Sequence, residues 1–258
     1  MKDAKIAIGG KGGVGKTTVS AIWAQLFAQD GFDVLAIDAD PNPNLASAFG
    51  IVPEQSPKPL IRMKDLIAER TGTQKDTVGA YFKLNPKVSD LPEQYWYETN
   101  GIKILVLGAI TQAGGGCACP EGAFLKALLT HTILQREEVV LVDLAAGVEF
   151  MGRASVQGID ALVLIVEPGS RSIETTIHMA QMARKLGIKR VGAIANKVTE
   201  AHQIDFIRSQ LDGIALLGAL KYSRYLQQAD LHRAAVFEAD VEITEELKRA
   251  KDRLAKIL

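Results

Sequence analysis

The stretch that most constrains this chain is Gly9 to Thr18, GGKGGVGKTT. It lies between an apolar run, Lys5–Gly9, and an amphipathic one, Lys16–Gln29. Gly10, Gly15, Lys16 and Thr17 satisfy the spacing G-x-x-x-x-G-K-[ST]. Glycines let successive backbone N–H groups converge on phosphate oxygens, and a following helix presents its positive end to the same anion. Gly12, Gly13, Val14, Gly15, Lys16, Thr17 and Thr18 are therefore candidate nucleotide-binding residues. Lys16 is expected to neutralise charge on the β- and γ-phosphates, and the Thr17 hydroxyl to ligate Mg²⁺. The plain alternative is a glycine-rich turn with no ligand; a strand before and a helix after favour the phosphate loop. One lysine is enough for such a loop, yet this one carries a second, Lys11.

The rest of the chain repeats the strand–helix alternation that the loop begins. Strands are expected at Lys5–Gly9, Val34–Asp38, Ile102–Leu107, Val139–Asp143, Ala161–Val166, Arg190–Ala195 and Ile214–Leu220. Helices are expected at Lys16–Gln29, Glu121–Leu134, Ile173–Leu186, Ala201–Leu211 and Thr244–Ile257. The strand runs are apolar throughout rather than alternating, which suits strands covered on both faces. The order predicts an α/β fold: a doubly wound, mostly parallel sheet with helices on both faces, as in P-loop NTPases. With 258 residues and 47% hydrophobic composition, one domain spanning 1–258 is expected. Gly50 to Thr99 is proline-rich and breaks the pattern. It is expected to hold an inserted helix at about Met63–Arg70 and loops lying over the nucleotide face.

In doubly wound sheets ligands collect at the carboxyl ends of strands, and three more markers fall there. Asp38 and Asp40 stand at the end of the second strand, in DADPNPN. One could orient an attacking water and the other hold Mg²⁺ through water, with Asp38 the magnesium candidate. A polar turn forced by Pro41 and Pro43 is the alternative. Asp143 ends VVLVD, where a Mg²⁺-side aspartate belongs, and Gly147 follows in a loop free to move with the γ-phosphate. Asn196 and Lys197 end the Arg190–Ala195 strand, where bases are read. A guanine-reading NKxD would place Asp where Thr199 stands, which favours adenine.

Charge limits the partners. Thirty Lys and Arg balance thirty Asp and Glu, so no net positive field holds nucleic acid. No signal peptide is expected ahead of the first strand, and the apolar runs are too short to span a bilayer. With only two cysteines, the expected location is a reducing cytoplasm.

Taken together, KGGVGKT with its extra Lys11, DAD, DLAAG and NK resemble the deviant Walker A superfamily that contains MinD, ParA and the nitrogenase iron protein. The segments appear in that family's order along nearly the whole chain. The resemblance implies a homodimer sandwiching two ATP molecules, with Lys11 reaching the partner's phosphates and Asp40 positioning the hydrolytic water. Lys11, Lys16 and Asp40 are thus the implied catalytic residues. A lysine in a glycine-rich loop has little apolar surface to rest on, so Lys11 points either to water or to an anion.

Both cysteines, Cys117 and Cys119, fall in QAGGGCACPEGAF. Cys119 is expected near a helix N-terminus, which favours the thiolate. Cysteines two residues apart make strained disulfide partners. Two thiolates are half of a four-ligand metal site, and a two-fold dimer supplies the other half if the motif lies on the axis. A pair of small buried apolar residues is the alternative, although the glycine-rich context is poor core material. With the ATPase motifs, C-x-C resembles the family of nickel-insertion ATPases that mature carbon monoxide dehydrogenase. That resemblance implies Ni²⁺ or Zn²⁺ at a dimer-shared thiolate site and carbon monoxide dehydrogenase apoprotein as client. A bridging iron–sulfur cluster is the redox alternative; thiolates alone do not choose the metal.

The four histidines, His131, His178, His202 and His232, lack ligand spacing. The C-terminal segment ITEELKRAKDRLAKIL places Leu247, Ala250, Leu254 and Ile257 on one face. Such a helix could bind a membrane surface, as in septum-positioning ATPases, or dock on its own domain. The absence of Phe and Trp from the apolar face, and Glu245, Glu246 and Asp252 among the basic residues, favour docking. The rival function is therefore a positioning ATPase of the MinD/ParA type, acting on membrane or DNA.

Overall fold

The computed structural model describes residues 3–73, 81–108, 120–134, 138–146 and 158–258. Among these the chain runs β1 (Lys5–Gly10), α1 (Lys16–Gln29), β2 (Val34–Ala39), α2 (Leu45–Ala48), α3 (Lys64–Thr71), α4 (Leu91–Tyr95), β3 (Tyr97–Thr99) and β4 (Ile102–Val106). It continues through α5 (Pro120–Leu134), β5 (Val139–Leu144), β6 (Ala161–Val166), α6 (Ser170–Lys185), β7 (Arg190–Val198), α7 (Ala201–Gln210), β8 (Ala215–Lys221), α8 (Arg224–Leu231) and α9 (Val241–Ala255). Eight strands form one sheet in the order β3-β4-β2-β5-β1-β6-β7-β8. Every pairing is parallel except that of the edge strand β3 with β4.

The expected doubly wound α/β architecture is present, and its apolar runs explain it. Strand side chains alternate between two helix-covered faces. On β1, Ile6 and Ile8 join Trp23 and Phe27 of α1 and Leu247 and Leu254 of α9. Ala7 joins the other core, with Phe124 and Leu128 of α5 and Met179 of α6. Each large side chain so buried contributes about 1.5–3 kcal/mol relative to exposure. Neighbouring β5 and β6 flank β1 on opposite sides, which opens a crevice at the carboxyl ends of the strands.

Two regions differ from expectation. Within Gly50 to Thr99 the helix is present as α3, but no described residue of the segment lines the nucleotide cavity. Leu60, Ile67 and Leu91 are buried with Leu105, Leu107 and Phe124, so this stretch covers the α5 side of the sheet edge. Burial of its apolar side chains decides its position. The C-terminal helix starts three residues earlier than expected because Asp240 caps it, accepting the Ile243 N–H at 3.2 Å. Leu247, Ala250 and Leu254 are fully buried, whereas Ile257 lies past the helix end and is exposed. The Trp23 indole N–H donates to the Leu247 carbonyl at 3.0 Å. The helix is docked.

Candidate functional site

The loop between β1 and α1 is built by backbone conformation. Gly10, Gly13 and Gly15 have φ of 145°, 79° and 96°, a region other residues adopt with strain. A Cβ at Gly15 would stand 2.4 Å from the Asn196 amide nitrogen, so a side chain there has no room. Gly15 is the N-cap of α1 and offers no side-chain acceptor, which leaves the first-turn N–H groups available to an anion. The buried Lys16 ammonium reaches back across the loop and donates to the Lys11 carbonyl at 3.2 Å.

Strand register assembles the acidic side of the site. Asp38 and Asp143 are direct partners in the parallel β2–β5 pair, on the face that α1 covers. The Thr17 hydroxyl donates to Asp143 Oδ2 at 2.6 Å. The other oxygen, Oδ1, is buried without a hydrogen-bond partner among the described residues. Burial, reinforced by the charge of Asp38, pushes the Asp143 carboxyl up to about 7, against the pull of Thr17 and Lys16. A hydroxyl beside an incompletely partnered carboxylate is an all-oxygen donor set of the kind Mg²⁺ takes.

Asp38 is engaged differently. Its Oδ1 accepts the Asp40 N–H at 3.0 Å, and its Oδ2 accepts those of Asn44 and Leu45 at 2.9 and 2.8 Å. Burial raises its pKa to about 6 in spite of those bonds. The turn alternative for DADPNPN is thus realised along with the site, because one carboxylate folds the loop that carries the other. Asp40 itself is half-buried, accepts the Asn42 N–H at 2.9 Å and faces the nucleotide cavity.

That cavity has a volume of about 600 Å³. Gly12, Gly13, Gly15, Lys16, Thr17 and Thr18 form its floor, with Asp40 and Asn196 at the sides. Val14 is buried beneath it. The far wall comes from Tyr222, Ser223, Leu226, Gln227 and Val236, which the sequence did not single out. No local motif marks them; they reach the site because β8 lies at the sheet edge and the segment after α8 returns to the end of α2, where the Val236 N–H donates to the Ala48 carbonyl at 3.0 Å. Lys11 is exposed and lines a neighbouring cavity of about 560 Å³ with Glu167 and Arg171. Cys117, Cys119 and Gly147 lie outside the described residues. No group of three metal-ligating side chains occurs among the described residues, and none of their helices is long and apolar enough to cross a membrane.

A phosphate loop at the switch point, with a threonine and a strand-end aspartate in contact beside it, defines a P-loop ATPase. Residues 5–236 match the CobQ/CobB/MinD/ParA nucleotide binding domain, and the chain belongs to that family. It is 44% identical over 228 residues to the carbon monoxide dehydrogenase accessory protein CooC of Rhodospirillum rubrum, covering 88% of this chain and 86% of that one. It is 28% identical over 260 residues to a light-independent protochlorophyllide reductase iron-sulfur ATP-binding protein of Halorhodospira halophila, covering 98% and 79%. Among solved structures, septum site-determining protein MinD of Pyrococcus horikoshii, complexed with Mg-ADP, superposes with a TM-score of 0.70. It is 17% identical and covers 98% of this chain and 96% of that one, a likeness of fold.

Proposed function

We propose that the chain is an ATP-hydrolysing metallochaperone whose nucleotide-dependent homodimer serves the maturation of carbon monoxide dehydrogenase. The observation that carries this reading is the 44% identity to a carbon monoxide dehydrogenase accessory protein across 88% of the chain. The cargo is Ni²⁺, replaceable by Zn²⁺, held as substrate by Cys117 and Cys119 from each of two subunits.

The residues divide the work. The loop N–H groups of Gly12 to Thr18 bind the phosphates, and Lys16 exchanges its Lys11 carbonyl for the β- and γ-oxygens. Thr17 and Asp143 would hold Mg²⁺, and Asp38 supports them by folding the Asp40 loop. Mg²⁺ supplies neutralisation of charge on the phosphates. Asp40 orients the attacking water from the cavity side, Asn196 borders the adenosine end, and Lys11 turns to the partner's phosphates. The positioning alternative loses its membrane helix, because the apolar face of α9 is covered by α1 and β8.

The test combines size measurement and metal analysis of anaerobic protein with no nucleotide, ADP or ATP. One Ni²⁺ or Zn²⁺ per two chains should appear together with the dimer. Unchanged metal stoichiometry in a Cys119→Ala dimer would remove the metallochaperone reading and leave the ATPase.

A further inference from the structure

The irregular end of β7, where its register against β8 shifts between Ala195 and Val198, touches the phosphate loop at two consecutive peptides. The Lys197 ammonium donates to the Gly13 carbonyl at 2.6 Å, and the Asn196 amide donates to the Val14 carbonyl at 2.8 Å. The loop is 182 residues away in sequence, so this contact is a product of the fold. In a trans peptide the C=O and the following N–H point in opposite directions, and the described residues contain no cis bond. Drawing the Gly13 and Val14 carbonyls toward β7 therefore turns the Val14 and Gly15 N–H groups away from β7, toward the inside of the loop.

The strap is itself held in place. Lys197 sits at φ 57°, a left-handed conformation that an L-residue adopts only when its surroundings impose it. Its backbone N–H donates to Asn196 Oδ1 at 2.8 Å, so a single amide secures both the turn and the loop. The ammonium also pairs with Glu167 at 2.6 Å, and the Glu167 N–H donates to the Ser172 hydroxyl at 3.0 Å near the start of α6. Lys197 borders the nucleotide cavity, but its ammonium is already held between the Glu167 carboxylate and the Gly13 carbonyl.

We infer that Lys197, with Asn196, is a positioning residue that presets the phosphate-loop N–H groups for the β-phosphate by gripping the carbonyls behind them. It acts through the loop and not by touching the ligand, which separates it from Lys16. The inference rests on phosphate binding by the loop and on nothing about metal or client.

The experiment compares ADP affinity, steady-state kinetics and ¹⁵N amide spectra for wild type, Lys197→Met, Lys197→Arg and Glu167→Gln. Lys197→Met should weaken ADP and ATP alike, by about tenfold, the size expected for one lost charge-assisted bond. KM should rise while kcat stays within about twofold, because ground-state and transition-state phosphates lose the same donors. The Val14 and Gly15 amides should lose the shift that ADP induces in wild type. Lys197→Arg should restore affinity, and Glu167→Gln, which leaves the Gly13 bond in place, should stay within about twofold of wild type. Wild-type ADP affinity in Lys197→Met would overturn the inference. So would weakened binding with unchanged Val14 and Gly15 shifts, or a Met variant that fails to fold, which would make the residue merely structural. Wild-type protein that bound no ADP would instead remove the phosphate-loop assignment itself.

Discussion

Charge is buried in two places on the same face of this sheet, and the two are handled in opposite ways. In the α1–α9 seam, Lys251 is 3% exposed, meets the Asp30 carboxylate and lies 5.2 Å from the centre of the Phe27 ring. The ammonium there has a carboxylate partner, and the seam's work is packing. At the strand ends, Asp38 and Asp143 are just as buried but face each other across the β2–β5 register, and no cationic side chain among the described residues is bonded to them. Burial raises both pKa values, and at Asp143 the charge of Asp38 adds to it. A fold that tolerates such a pair gains a place where a cation and a triphosphate are worth more than they would be on a satisfied surface. The contrast separates residues that hold the molecule together from residues that hold it ready.

The largest effect should come from the ready end. Asp40→Ala should lower kcat by about 10²- to 10⁴-fold, the range for a lost general base or water-orienting group. ADP affinity and the unfolding midpoint should stay near wild type, because Asp38 and not Asp40 holds the loop. Phosphate release and urea unfolding measured on the same preparation check both halves. A large loss of stability would merge the two regions that the comparison keeps apart.

The seam should answer in the other quantity. Leu247→Ala deletes a fully buried side chain between α1 and the sheet and should destabilise by about 2–5 kcal/mol. Below the new unfolding midpoint, kcat should be unchanged. Calorimetry with parallel kinetics tests this; a fall in kcat in folded protein would show that the helix layer reports to the site.

Much of the site could be read from the residues because its signals are local. Glycine spacing, a strand before and a helix after mark the loop, and Asp38 and Asp143 stand out because they end apolar runs. What escaped was non-local. The contact between Thr17 and Asp143 spans 126 residues and depends on strand order. The Tyr222 to Val236 wall has no motif at all. Asn196 reads as a base-side residue; it does line the cavity, but the bond from its amide to the Val14 carbonyl depends on where the sheet places β7. The loops of residues 50–99 are expected over the nucleotide face, but none of their described residues lines that cavity. Prolines announce interruption, but only the buried Leu60, Ile67 and Leu91 say which face the interruption covers.

A smaller effect should appear as a slope against pH. In the folded protein Asp38 holds its proton up to about 6 and Asp143 up to about 7, against 3.8 for the unburied group. Between those values the folded state keeps protons that the unfolded state releases. This contribution to stability is therefore full below 3.8 and is lost as pH rises through about 6 and 7. Nucleotide-free protein should lose on the order of a few kcal/mol from this source between about pH 4 and pH 8. Asp143→Asn should flatten most of that slope in urea titrations, as should saturating Mg²⁺ and ADP. An equal slope in the variant would mean that the carboxylate pair is not the source.

The smallest effect should be at Lys251, where the charge is most conspicuous. Lys251→Met keeps the buried stem and removes the ammonium. Asp30, left without its partner, is 44% exposed and turns to water, so no isolated charge remains in the interior. Replacing an ion pair by an apolar side chain of similar shape is often neutral, and the lost contact with Phe27 is worth about 1 kcal/mol. The unfolding free energy should change by no more than about 1 kcal/mol, with kinetics unaltered. A loss several times larger, abolished by adding Asp30→Asn, would show that the seam stores an unscreened carboxylate after all. In that case the two buried charges would differ in degree and not in kind.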